Sequence, residues 1–194
     1  MKEEIIQKAL NHFLKNGSKV ITMDDIAHEF GLSKKTLYDM FENKEALIND
    51  AVDLLWKDYL NDVNDILKTT KNPIQKTILI YERAIAIIIT VEPVFIVSLR
   101  KYHNKVMSKY SNNRSDLINN IVLPLLMEAK SQNQIESTIN LVLFCAVNFK
   151  EFDERIWKNF FFDKYSKEEI LEYFIIRRLR GILSKDYLYL AQVK

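Results

Sequence analysis

Glycine and proline are rare in this chain, and their scarcity limits the folds open to it. Only three glycines and three prolines occur among the 194 residues. An all-β sandwich or barrel needs many turns, and turns draw heavily on these two residues. Hydrophobic residues make up 48% of the sequence and charged residues 28%, which is the composition of a globular protein. The sequence therefore predicts an all-α fold with long helices and few turns.

The single cysteine and the most apolar stretch exclude several classes of protein. Cys145 has no second cysteine with which to form an intramolecular disulfide or a cysteine-rich zinc site. Residues 84–97 are the most apolar stretch, but Glu92 and Pro93 interrupt it, whereas a membrane span needs about 20 apolar residues in a row. The polar residues near the N-terminus do not fit a signal peptide. We therefore expect a cytoplasmic protein that does not contact a membrane.

Apolar periodicity predicts helices along the whole chain. The first carries apolar residues from Ile5 to Leu14 and ends at Gly17. Thr22, Ser33 and Asn43 are each placed to cap the helix that follows, and the helix after Asn43 is expected to reach residue 68. Later helices are expected at residues 73–90, 93–110, 116–130, 138–162 and 167–183. Ser137 and Ser166 are expected as caps, with polar breaks at 111–115 and 131–134 and a kink at Pro124.

Residues 23–42 have the spacing of a helix-turn-helix. Ala27 is small enough for a second helix to cross close over it, and Gly31 can supply the positive φ of a tight turn. Leu37 follows six residues later and is expected to fill the wedge between the helices. The opposite face of the second helix is polar, and in this motif that helix enters the DNA major groove. A helical module that binds protein and not DNA is the alternative.

Three stretches resemble the DNA-binding domain of the TetR (tetracycline-repressor) family of bacterial transcription regulators: IIQKALNHFLKNG, ITMDDIAHEFGLSKKTLYDMF and ENKEALI. The resemblance implies a helix-turn-helix domain, residues 1–46, joined through a long fourth helix to a helical ligand-binding and dimerisation domain, residues 47–194. It further implies a homodimeric regulator, expected to be a repressor, that binds a palindromic operator and is released by a small-molecule ligand. A DNA-binding regulator without a ligand is a second alternative.

The same resemblance assigns residues to the DNA contact. It places Thr22, Lys35, Thr36, Tyr38 and Lys44 at the DNA. The chemistry of the same helix adds Lys34, and it adds Asp39 as a departure from the common family pattern. Lys34 or Lys35 can read a guanine, and Thr36 can contact a thymine methyl group. Asp39 can accept a hydrogen bond from a cytosine amino group. Met40 stands where the family often has His or Tyr, so we expect one phosphate contact fewer.

The charge of the N-terminal region weighs against DNA binding. Residues 1–50 carry seven lysines, no arginine and nine acidic residues, although affinity for DNA grows with the number of phosphates neutralised. The sign of the charge on the docking face matters more than the total. We therefore expect few ionic contacts per subunit and a shallow salt dependence.

The C-terminal part is expected to hold a dimer interface and a ligand pocket. The interface is predicted on the helices at about 138–162 and 167–183. A pocket for an apolar or aromatic ligand is predicted from Trp56, Tyr81, Phe95, Arg100, Tyr102, His103 and Met127. The ligand is expected to be anionic if Arg100 faces inward. Plain core packing is the alternative for each of these residues.

No enzymatic activity, cofactor or metal site is predicted. The sequence lacks a Gly-rich phosphate loop and a nucleophile elbow. His12, His28 and His103 lie far apart in the sequence. Cys145 is expected to be a buried small hydrophobic residue, and the Phe160–Phe162 run is expected in a core or an interface.

Overall fold

The computed structural model describes residues 1–150, 152 and 164–187. Its helices, in chain order, are α1 (Lys2–Asn16), α2 (Met23–Glu29), α3 (Lys34–Met40), α4 (Lys44–Thr69), α5 (Pro73–Ile88), α6 (Pro93–Tyr102), α7 (Asn104–Leu117), α8 (Leu123–Ser131), α9 (Leu141–Asn148), α10 (Lys167–Leu171) and α11 (Arg177–Arg180). A π-helical turn at Ile118–Val122 joins α7 to α8, and another at Glu172–Ile176 joins α10 to α11. These residues contain no strand beyond an isolated bridge between Ile135 and Leu183, so the predicted all-α fold is confirmed.

The chain forms two compact units. The first comprises residues 1–61 and 90–111, and the second comprises residues 62–89 and 112–194 as far as they are described. The first unit therefore combines the helix-turn-helix with α6, which lies some fifty residues beyond it in the sequence. The predicted division after residue 46 concerns function and remains a prediction.

In the first unit, α6 packs against α1. The apolar stripe of α1 is buried, and the Phe13 ring stacks on the Phe95 ring with 6.3 Å between the ring centroids. In the last turn of α1, the Leu14 carbonyl accepts a hydrogen bond of 2.9 Å from the Glu92 amide. This bond satisfies one of the carbonyls that the end of a helix leaves without a partner in the helix. The residues that precede α6 are thus fixed to the helix that begins the chain.

The second unit is built around α5 and α8. Ile80 and Ile85 of α5 and Leu126 of α8 are fully buried. The Tyr81 ring packs on the Phe149 ring, with 4.6 Å between centroids. The Lys167 ammonium pairs with the Glu82 carboxylate at 3.2 Å and so links α10 to α5.

Two predicted features between residues 93 and 115 are wrong. The predicted helix at 93–110 is interrupted at His103, whose backbone leaves the helical region (φ −132°, ψ 55°). The predicted break at 111–115 does not exist, because α7 runs through it. These residues are polar but include no Gly or Pro, so they can continue the helix; Asn112 is exposed and the other four are half-buried.

A π-helical turn lies just before Pro124, and the kink that the sequence predicts there stays a prediction. Proline has no amide hydrogen, so it removes one helical hydrogen bond wherever it stands. The turn at Ile118–Val122 directly precedes the proline, and the Leu123 amide donates to the Ile118 carbonyl. The helix therefore continues past Pro124 with a widened turn.

Several predicted helix limits also need correction. Asn140, and not Ser137, caps α9, because its side-chain oxygen accepts from the Leu143 amide at 3.0 Å. Helix α9 ends at Asn148 and is followed by Phe149 and Lys150. Of the rest of the predicted helix at 138–162 the structure describes only Phe152, and the Phe160–Phe162 run lies outside the described residues. Helix α5 ends at Ile88, and the helix predicted to reach residue 183 ends at Arg180.

The described residues contain neither a membrane span nor a metal cluster. None of their helices is both long enough and apolar enough to cross a bilayer. Among the same residues, no group of three or more His, Cys, Asp or Glu side chains could hold a metal ion.

Candidate nucleic-acid interface

The start of α2 is fixed by a capping box, as predicted. The Thr22 hydroxyl accepts from the Asp25 amide at 3.1 Å, and the Asp25 carboxylate accepts from the Thr22 amide at 2.8 Å. The Thr22 hydroxyl also donates to the Asp25 carboxylate at 2.7 Å, and this bond, followed by the one from the Thr22 amide, lowers the pKa of the Asp25 carboxyl. Because each group satisfies the other, the first residue of the candidate interface has a defined position.

Gly31 turns the chain between α2 and α3. Its φ is +62°, a left-handed value that favours glycine, as the sequence predicted. The Leu32 amide donates to the Ala27 carbonyl at 2.8 Å, and the Gly31 amide donates to the His28 carbonyl at 3.1 Å. A Cβ on Gly31 would meet nothing within 4 Å, so backbone conformation alone explains this residue.

The inner face of α3 is anchored in the core. Leu37 is 0% exposed, and Ile26, Ala27 and Phe41 are buried with it. The Ser33 hydroxyl caps the helix by accepting from the Thr36 amide at 3.0 Å, as predicted. Packing on one side and the cap at the start together fix the rotation of α3.

The outer face of α3 presents polar and aromatic side chains to solvent. Lys35 and Asp39 are exposed, and Tyr38 is 41% exposed. Thr36 is half-buried, and its hydroxyl is hydrogen-bonded to the Ser33 hydroxyl at 2.7 Å. One surface of α3 therefore presents a cation, a phenol hydroxyl and an anion, from Lys35, Tyr38 and Asp39.

The two lysines that flank this face differ in their surroundings. The Lys34 ammonium pairs with the Asp24 carboxylate at 2.9 Å, and this hydrogen bond raises the Lys34 pKa. Lys44 begins α4 behind the Asn43 cap, whose side-chain oxygen accepts from the Ala46 amide at 2.9 Å. Partial burial lowers the Lys44 pKa, and the Asp25 carboxylate opposes that shift. The pairing of Lys34 with Asp24 was not foreseen from the sequence.

The match to a known family comes from this part of the chain. Residues 5–51, from α1 into α4, match the family described as bacterial regulatory proteins, tetR family. The match covers about a quarter of the chain and includes the helix-turn-helix described above.

Curated relatives match about a third of the chain. The biofilm operon icaADBC HTH-type negative transcriptional regulator IcaR of Staphylococcus aureus is 35% identical over 63 residues, which are 32% of this chain and 33% of the relative. The alignment therefore spans about a third of the length of the curated relatives it matches.

Solved structures extend the likeness of fold to nearly the whole chain. A TetR-family transcriptional regulator from Cytophaga hutchinsonii has a TM-score of 0.77 at 14% identity, with 95% of each chain covered. The regulator FadR from Bacillus subtilis, solved in complex with stearoyl-CoA, has a TM-score of 0.73 at 18% identity and covers 94% of this chain and 100% of its own. At these identities the likeness shows that the fold is shared.

A buried line of hydrogen bonds joins the turn after α1 to both ends of α6. The Ser18 hydroxyl donates to the Ser98 hydroxyl at 2.8 Å, and Ser98 donates to the Phe95 carbonyl at 2.7 Å. His103 Nε2 lies 3.1 Å from the Ser18 oxygen and must therefore donate the hydrogen that completes the line. Burial lowers the His103 pKa, while Glu45 opposes this and Lys44 adds to it. His103 is thus near the first turn of α4.

The residues predicted for a ligand pocket are divided between the two units. Those in the first unit are Trp56, Phe95, Arg100, Tyr102 and His103. Phe95 is buried against α1, Tyr102 is about half exposed, and Trp56 packs on Tyr110 with 5.9 Å between centroids.

The second unit contains the other two predicted pocket residues, Tyr81 and Met127. Tyr81 is buried and Met127 is exposed. The same unit has a cavity of about 390 Å³, lined by Tyr165, Glu169, Ile170, Tyr173 and Phe174. None of the seven predicted residues lines it. The aromatic residues of the last helix were missed because their spacing is also that of core packing.

Proposed function

We propose that this chain is a sequence-specific DNA-binding transcriptional regulator that reads DNA with the outer face of α3. The observation that carries the proposal is the contrast between the two faces of this helix. Leu37 is fully buried, whereas Lys35, Tyr38 and Asp39 are exposed. A helix anchored on one side and polar on the other can lie in the major groove. The match to the tetR family supports this use.

We propose a contact with DNA for four side chains of α3. Lys35 can donate to guanine acceptors, Asp39 can accept from a cytosine amino group, and the Thr36 methyl group can contact a thymine methyl. Tyr38 is placed to donate to a phosphate oxygen. We infer that these contacts give a modest code, because α3 carries no Arg, Asn or Gln.

Contacts to the phosphate backbone are proposed for the residues around α3. Thr22 is exposed at the start of α2, and Lys44 lies in the first turn of α4, where backbone amides also favour an anion. Lys34 must exchange its carboxylate partner, Asp24, for a phosphate in order to contribute. This competition supports the expected shallow dependence of affinity on salt.

We propose that the regulator acts as a homodimer through the helices at about 138–162 and 167–183. The described parts of these helices expose large apolar side chains, since Val142, Leu143 and Tyr173 are each more than half exposed. Burial of such groups is favourable by about 25 cal/mol per Å². A two-fold dimer would present its α3 helices to half-sites about 34–36 Å apart, or multiples of that, on a palindromic operator.

We propose that the regulator is a cytoplasmic repressor released by a small apolar or aromatic ligand. IcaR is named as a negative regulator, and FadR was solved with stearoyl-CoA. The aromatic cavity in the second unit supports a ligand of this kind, and Tyr81 and Met127 belong to the same unit. Moving a two-state population from 1:99 to 99:1 would need about 5.5 kcal/mol of differential affinity.

Selection of bound sequences from random duplex DNA tests the proposal. The full chain is expected to enrich a palindromic consensus. An empty selection would refute DNA binding and would favour a helical module that binds protein. The proposed release by a ligand has a separate test. Acyl and aromatic compounds are first screened for those that raise the melting temperature of the protein, and these are then added to its complex with the operator. Compounds that bind and leave operator affinity unchanged would refute release while DNA binding stands.

A further inference from the structure

The first unit has a source of positive charge outside the helix-turn-helix. Residues 1–50 are acidic on balance, with seven lysines and nine acidic residues. Residues 90–111 belong to the same unit and carry four basic residues against one acid, Glu92. Helix α6 and the start of α7 therefore supply the first unit with positive charge that residues 1–50 lack.

Two of the lysines in this unit meet at one aromatic ring. The Lys19 ammonium, from the turn after α1, lies 5.7 Å from the centroid of the Tyr102 ring at the end of α6. The Lys101 ammonium lies 5.4 Å from the same centroid. All three side chains are exposed, Tyr102 by 47%. We call Lys19, Lys101 and Tyr102 the basic-aromatic cluster.

Within the part of the chain that the structure describes, no carboxylate neutralises the basic-aromatic cluster. Other lysines of this unit are paired, for example Lys34 with Asp24. Among the described residues, no carboxylate oxygen lies within 4.0 Å of the Lys19 or Lys101 ammonium. The two cations lower the pKa of the Tyr102 hydroxyl, Lys101 more than Lys19. Two like charges and a hydroxyl donor held together at the surface make a site suited to an anion.

The cluster adjoins the candidate DNA-contacting residues. Lys19 follows Ser18 and Tyr102 precedes His103, and the Ser18 oxygen and His103 Nε2 are 3.1 Å apart. The charges of Glu45 and Lys44, in the first turn of α4, both act on His103. Lys44 is a proposed phosphate contact. The cluster therefore lies beside the start of α4.

We propose that Lys19, Lys101 and Tyr102 form a second phosphate-binding site that holds the DNA backbone outside the base pairs read by α3. The two ammonium groups and the tyrosine hydroxyl donate to phosphate oxygens and read no sequence. This inference rests on the proposed DNA binding, and it assigns to α6 a direct part in that binding.

The test compares the full-length double variant Lys19→Gln, Lys101→Gln with a matched control, Lys57→Gln. Lys57 is exposed in the same unit, thirteen residues after Lys44 along α4, which places it about 20 Å away along the helix. Affinity for the selected operator is measured over a series of salt concentrations, on a duplex with long flanks and on one trimmed to the consensus. Circular dichroism and thermal unfolding check that both variants fold like the wild type.

The proposal predicts a shallower salt dependence for the double variant on the long duplex. Each lost phosphate contact changes the slope of log K against log salt by about 0.9, so two lysines in each of two subunits remove roughly 3.6 at most. The control is expected to keep the wild-type slope. Trimming the duplex should weaken the wild type and leave the double variant nearly unaffected.

Two outcomes would overturn the inference in distinguishable ways. If the wild type binds its operator and the double variant shows the same affinity and slope, the second site does not exist, while the proposed function stands. A loss of affinity with an unchanged slope would point to a structural effect and would equally overturn it. If the wild type enriches no operator at all, the proposed function fails and the second site fails with it.

Discussion

Replacing Gly17 with alanine is expected to weaken the attachment of α6 to the helix-turn-helix unit. Gly17 follows α1 with φ +75° and ψ 165°, a conformation that is essentially restricted to glycine. A residue held in such a region costs of order 1–3 kcal/mol. The backbone alone thus predicts a measurable loss of stability for Gly17→Ala.

Crowding adds to that cost because α6 passes close to Gly17. A Cβ would lie 3.1 Å from Val94 Cγ2 and 3.3 Å from the Val94 carbonyl oxygen. Gly31→Ala is the matched control, because Gly31 also has a positive φ, +62°, but a Cβ there would meet nothing within 4 Å. A left-handed residue of that kind costs roughly 1–2 kcal/mol. We therefore expect Gly17→Ala to destabilise more than Gly31→Ala.

Urea unfolding followed by circular dichroism measures both free energies of unfolding. A loss of about 3 kcal/mol at Gly17 would lower the melting temperature of a chain of this size by roughly 6–12 °C. Adding Val94→Ala to Gly17→Ala should recover the part of the lost stability that comes from the clash with the Val94 side chain. Val94→Ala alone should cost little stability, since Val94 is about half exposed. A Gly17→Ala variant as stable as the wild type would show that the reasoning about this turn is wrong.

Three further predictions concern a cap, a thiol and an ion pair. Ser33→Ala should cost about 1 kcal/mol in urea unfolding, because the Thr36 amide loses its cap, and an unchanged midpoint would contradict this. Burial raises the pKa of Cys145 to about 11, so at pH 8 a thiol reagent should label the unfolded chain much faster than the native one; equal rates would refute the burial. Asp24→Asn should release Lys34 for phosphate and steepen the salt dependence of operator binding, whereas a weaker affinity would show that Asp24 itself serves the interface.

The features that the sequence predicted correctly are local ones. Thr22, Ser33 and Asn43 cap helices through bonds to residues three positions ahead, and such bonds depend on little besides the nearby sequence. The positive φ of Gly31 is similarly local. The buried side of α3 followed from helical spacing, since Leu37 returns to the face that α2 covers.

The features that could not be predicted depend on distant residues. The break at His103 coincides with a hydrogen bond to Ser18, which is 85 residues away in the sequence. The capping of α9 could not be decided between Ser137 and Asn140 because both side chains are competent to cap. The packing of α6 against α1 depends on the contact of Phe95 with Phe13. The apolar stripe of a helix predicts that one face is buried, but it does not predict which helix covers that face.

The central claim is that the outer face of α3 reads bases, and a ratio of affinities tests it most directly. The affinity for the selected palindrome is divided by the affinity for a scrambled duplex, for the wild type and for the Lys35→Ala, Thr36→Ala double variant. We predict that the ratio falls in the double variant, since one good base contact discriminates by about 1–3 kcal/mol. A double variant that binds DNA with the wild-type ratio would contradict the claim.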